Sequence, residues 1–74
     1  MSESSIEALV RMANQIAANV AHHPYEQAAG EVAAHLRSFW APSMREELTS
    51  YVADGGTGLD PIALDAVAKL RQPA

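Results

Sequence analysis

Three prolines, Pro24, Pro42 and Pro61, separate stretches in which apolar residues recur every three or four positions. Proline fixes its own φ, has no amide hydrogen and pushes the preceding residue out of helical geometry, yet it suits the first turn of a helix. Each proline therefore reads as the end of one helix and the start of the next. Ahead of the first, Ile6, Leu9, Val10, Ala13, Ile16, Ala17 and Val20 fall within an arc of about 120°, with Glu7, Arg11, Asn14, Gln15 and Ala18 on the other side. The spacing predicts a helix over about 5–21, with Ser4 and Glu7 as a capping box.

After His22-His23-Pro24, the residues Tyr25, Ala28, Ala29, Val32, Ala33, Leu36, Phe39 and Trp40 span about 140° and predict a second helix over 24–40. Leu36 lies near the centre of that arc and the two aromatics on opposite flanks, so they cannot both reach one small core to equal depth. Gly30 sits on the other face, beside Ala33, Ala34 and Arg37, where another backbone could approach or the glycine could simply be tolerated. Ser43 and Glu46 suggest a second capping box opening a third helix, carrying Met44, Leu48, Tyr51 and Val52 as far as Asp54. Gly55 reads as its left-handed C-cap. Asp60 caps a fourth helix to about residue 71, with Ile62, Ala66, Val67 and Leu70 apolar and Ala63 at the edge. No strand pattern or repeat interrupts this order. The fold class expected is all-α, a single domain over 1–74 made of four short helices in a compact bundle or as paired helical hairpins.

At 74 residues such a domain is small, and much of its 49% hydrophobic content is alanine, which makes good helix but a thin core. With no cysteine there can be no disulfide, thiolate zinc site or cysteine-held iron–sulfur cluster. The net charge of −4, with five dispersed Lys and Arg against nine carboxylates, argues against nucleic acid. No apolar run approaches a membrane span, and Met1-Ser2-Glu3-Ser4-Ser5 lacks the positive region of a signal peptide, so a cytoplasmic location is expected.

Chemistry-bearing patterns are weak. Gly55-Gly56-Thr57-Gly58 follows no strand and lacks the Lys-Ser/Thr of a phosphate loop. His22 and His23 would point apart on a helix, while Glu31 and His35 make an ordinary i, i+4 surface pair, so no metal site is expected. No nucleophile stands in a recognisable setting, and no catalytic residue is assigned. The strongest signal is the junction of the second and third helices, where Arg37, Phe39, Trp40, Pro42, Met44 and Arg45 crowd together. Trp and Arg dominate binding hot spots, and Met is enriched at interfaces. Arg45 in a first helical turn opposes the helix dipole, which a carboxylate partner would offset. These six residues are the candidate partner interface. The alternative is that Trp40 plugs the core and both arginines are solvated.

Met12-Ala13-Asn14-Gln15-Ile16-Ala17, the run from Ala33 to Arg45 that contains Phe39-Trp40-Ala41-Pro42-Ser43-Met44-Arg45, and Gly55-Gly56-Thr57-Gly58-Leu59-Asp60-Pro61 occur in the order and spacing of a known family. From about residue 6 to 70 the chain resembles the delta subunit of bacterial NAD-dependent formate dehydrogenase. It departs from the pattern after Ala17, where Ala18-Asn19-Val20 stands in place of expected aromatics. The resemblance implies a non-catalytic accessory subunit that docks on the large alpha subunit, within a complex that also holds beta and gamma subunits. It implies that the partners, not this chain, carry bis-molybdopterin guanine dinucleotide with Mo or W, iron–sulfur clusters and FMN. Two other readings stand beside it. One is a small helical binding module with a different partner, such as a transcription-associated or antitoxin-like protein. The other is a cofactor-insertion chaperone, which would need a cationic pocket, for which the chain offers only Arg11, Arg37, Arg45, Lys69 and Arg71.

Overall fold

The computed structural model describes residues 6–71, and four helices account for most of them: α1 (Ile6–Asn19), α2 (Tyr25–Phe39), α3 (Pro42–Ala53) and α4 (Pro61–Arg71). The proline reading holds at each boundary. Pro24 is the N-cap of α2, while Pro42 and Pro61 open α3 and α4. The first helix stops two residues earlier than its apolar pattern suggests. Val20, Ala21 and His23 donate to Ala17, Ala18 and Val20, a tightened i→i−3 turn that carries the chain into Pro24. Ser4, and with it the first capping box, lies outside the described residues.

The Ser43–Glu46 capping box does not form. Pro42 takes the first helical position and Ala41 becomes the N-cap, with no side-chain cap bond. Ser43 is therefore already helical, and the amides of Met44 and Arg45 donate to the Ala41 carbonyl. At the other end the expectation for Gly55 is met. Gly55 and Gly56 both have positive φ, and their amides donate to Val52 and Tyr51, the double bond of a Schellman cap. Gly56 is favoured by its positive φ, and a Cβ there would also come within 2.6 Å of the Leu64 side-chain end, which would have to shift. The Asp60 carboxylate accepts from the Ile62 amide, as an N-cap should.

The most extensive helix contact is between α2 and α4, followed by α1 with α3 and α3 with α4. The consecutive helices α2 and α3 scarcely touch, so the chain forms an interleaved bundle rather than a pair of hairpins. The radius of gyration, 11.3 Å, is that of a compact chain of this length. Its core is assembled from Leu9, Ala13, Ala17, Val32, Ala33, Leu36, Trp40, Leu48, Leu59, Ala63, Ala66 and Val67. Alanines let the helices approach closely, and Trp40 supplies the largest apolar surface. Ala63, expected at the edge of its helix, is fully buried. Tyr25, placed on the apolar arc of α2, is instead 48% exposed, and its hydroxyl donates to the Pro61 carbonyl. Partial desolvation, and then the nearby Asp65 carboxylate, raise the pKa of that hydroxyl.

Candidate protein-docking surface

The end of α2 parts two adjacent aromatics. The helix closes at Phe39, and Trp40 turns to an extended conformation with φ −90° and ψ 144°. That turn takes Trp40 into the core at 6% exposure and leaves Phe39 outside at 75%. The Phe39 ring meets the His35 imidazole one turn back, with ring centroids 4.7 Å apart. Beside it runs an open groove of about 480 Å³ between α1 and α2, lined by Arg11, Met12, Gln15, Ile16, His35 and the edge of Trp40. Met12 is itself 42% exposed. This flank thus combines an exposed aromatic with a half-apolar groove, the composition found at protein contacts rather than on ordinary surface.

The opposite flank of α2 is basic. The Arg45 guanidinium, in the first turn of α3, donates through Nη1 to the carbonyls of Trp40 at 2.7 Å and of Leu36 and Arg37 at 3.3 Å. The charge that opposes its own helix dipole is therefore met by the negative end of α2. Arg37 does the same for α4, donating from Nη2 to the Lys69 carbonyl at 3.0 Å. Arg37, Arg45 and Arg71 line one groove of about 660 Å³, together with Pro42, Glu46, Thr49, Ser50 and Leu70. Cations that are dispersed along the sequence are gathered by the fold.

The six sequence candidates accordingly separate. Phe39, Arg37 and Pro42 are exposed, Trp40 is a core residue, Met44 packs partly against that core, and Arg45 is half-buried as a helix cap. Of the alternative reading of the junction, one half holds and the other does not: Trp40 plugs the core, but Arg37 and Arg45 are bonded to main-chain carbonyls rather than merely solvated.

Two further features escaped the sequence reading. Asn14 latches the glycine loop onto α1. Its Nδ2 donates to the Gly58 carbonyl at 2.9 Å and its Oδ1 accepts from the Asp60 amide at 2.8 Å. An asparagine opposite a helix's apolar stripe was the available signal, and it did not identify the partner. The second is the convergence of Arg71 with Arg37 and Arg45 in one groove, which depends on the packing of α4 against α2. Histidine pairings also differ from expectation. Glu31 accepts from Gln27 at 2.9 Å and lies 3.1 Å from the His23 ring, while His35 stacks on Phe39. The Gln27 hydrogen bond lowers the pKa of Glu31 against the opposing effect of desolvation, with the His23 hydrogen bond and the His23 and His22 charges as lesser contributors. The rings of His22 and His23, in a turn rather than a helix, meet edge to face at 4.2 Å. Among the described residues no three His, Cys, Asp or Glu side chains converge as a metal site, and no helix is long and apolar enough to cross a membrane.

Fold and surface together define a small all-α protein whose distinctive chemistry is displayed on its exterior, in an aromatic flank and a basic one. Residues 8–67 match the family model described as NADH-dependent formate dehydrogenase delta subunit FdsD, and the chain belongs to that family. No curated protein and no solved structure matches it. The three motif segments that carry the resemblance meet in space. Asn14 in the first binds Gly58 and Asp60 in the third, and the second holds the α2–α3 junction.

Proposed function

We propose that this chain is a non-catalytic accessory subunit of a formate dehydrogenase, docking on the large catalytic alpha subunit and stabilising the assembled enzyme. The observation that carries this reading, beyond family membership, is Phe39. A phenylalanine held at 75% exposure beside an open groove loses apolar burial that a partner can restore. The chain has no cysteine and so cannot itself ligate an iron–sulfur cluster through thiolates. In this reading the bis-molybdopterin guanine dinucleotide with Mo or W, the iron–sulfur clusters and FMN reside in the alpha, beta and gamma subunits. This chain acts by mass action. A subunit that binds only the folded partner stabilises it by about 2.7 kcal/mol at a hundredfold excess over Kd.

The test is co-expression of the chain with the other dehydrogenase subunits, followed by purification through a tag on the alpha subunit and a formate-dependent NAD+ reduction assay. Phe39→Ser is expected to leave the helical circular dichroism of the isolated chain unchanged and to remove the chain from the purified complex. Full-ratio recovery of the Phe39→Ser chain would rule out this aromatic as the docking anchor. An enzyme equally active and equally heat-stable without the chain would rule out the stabilising role.

A further inference from the structure

The groove between the C-terminal turns of α2 and α4 and the start of α3 has a charge pattern that the fold does not use up. Arg37, Arg45 and Arg71 line it against a single carboxylate, Glu46. That is a formal +2 in a chain of −4, so the remaining side chains carry −6. Despite nine carboxylates in the sequence, none of the three guanidiniums lies within 4.0 Å of one among the described residues, where Glu26 pairs with Lys69 and Glu31 lies against the His23 ring. Two of the three forks are held in place by main-chain carbonyls, Arg37 through Lys69 and Arg45 through Leu36, Arg37 and Trp40. Anchoring of this kind reduces the rotamer entropy that a long cationic side chain loses on binding.

We infer that this groove receives a short acidic segment of a partner protein, whose carboxylates pair with the forks of Arg37, Arg45 and Arg71. A carboxylate matches the planar guanidinium fork. Phosphate is less well served. Anion sites at helix starts rely on free backbone amides, but α3 opens with Pro42, which has none, and the Met44 and Arg45 amides are bonded to Ala41. A long polyanion such as nucleic acid would run from the basic groove onto a surface of opposite charge balance. Leu70 in the groove wall adds an apolar contact for the same segment. The inference deepens the docking role proposed above and depends on it only for the identity of the partner.

The groove is tested on the full chain by NMR, titrating amide signals at low ionic strength with a capped hexaglutamate peptide and, separately, with inorganic phosphate. Saturable, salt-sensitive shifts are expected at residues 37, 45, 49 and 71 with the peptide. Arg71→Glu, which disturbs neither cap, should weaken that binding about tenfold or more, and Glu46→Gln should strengthen it. Absence of saturation at millimolar peptide, an affinity unchanged by Arg71→Glu, or phosphate saturating the same signals as tightly as the peptide would overturn the inference. Purification through the tagged alpha subunit separates it from the reading above. If the native chain co-purifies and Arg71→Glu does so equally well across a salt series, the groove inference fails and the docking role stands. If the native chain does not co-purify while the peptide still binds, the dehydrogenase docking role fails and the groove remains a site for another acidic partner.

Discussion

Phe39 and Trp40 are neighbours in sequence, yet one turn of backbone assigns them to different tasks. Trp40 leaves helical geometry and fills the core, while Phe39 keeps it and projects from the surface. The same division is repeated between the two flanks of α2. The flank beside α1 shows Phe39, His35 and Met12, where the fold gains little. The flank beside α4 collects arginines, two of which close the ends of helices. An aromatic or a cation at a helix junction is therefore not evidence of a binding surface until the local hydrogen bonds have been traced. What they leave unused is the informative part.

The sharpest way to break this comparison is to truncate the two aromatics separately. Trp40→Ala should cost about 3–5 kcal/mol, enough to threaten the folded state of a chain of this size. The expected result is loss of cooperative thermal unfolding by circular dichroism. Phe39→Ser should change stability by no more than about 0.5 kcal/mol in the same measurement, because the side chain is 75% exposed. If the two variants melted alike, the assignment of one aromatic to the core and the other to the surface would be wrong.

A smaller effect distinguishes arginines within the basic flank. Arg45→Met removes the donor to three carbonyls and should lower stability by about 1–2 kcal/mol, read as an earlier urea midpoint. Arg71→Glu breaks no hydrogen bond found in the structure, and its midpoint should stay close to that of the native chain. An Arg45→Met midpoint as high as that of Arg71→Glu would mean that the cap contributes nothing to stability.

These contrasts mark how far the sequence could be read. The four helices were legible because proline geometry and apolar spacing act locally, within a turn or two. The Ser43 cap was misplaced because two local rules compete at that position. Proline at the first helical turn overrides the serine two residues beyond the true N-cap. The location of the junction was legible, but the roles within it were not. They depend on contacts distant in sequence, such as Arg37 with Lys69 and Asn14 with Gly58 and Asp60. Charge dispersed along the chain gives no warning that α2 will pack on α4 and bring Arg37 next to Arg71.

Gly30 offers the mildest and most discriminating change. It lies seven residues before Arg37, two helical turns along the same side of α2. A Cβ there would meet nothing within 4 Å, so none of the other described residues uses the space. Replacing a helical glycine with alanine reduces the backbone freedom lost on folding, so Gly30→Ala should stabilise the isolated chain by up to about 1 kcal/mol, read as a raised melting temperature. In the complex the sign can differ. If a partner extends from the arginine groove along this side of α2, the added methyl meets it, and association weakens while the free chain grows more stable. If the partner covers only the Phe39 flank, both quantities improve or stay level. Measuring melting temperature and co-purification on one variant therefore tells which flank of α2 carries the contact, without removing any side chain that either flank uses.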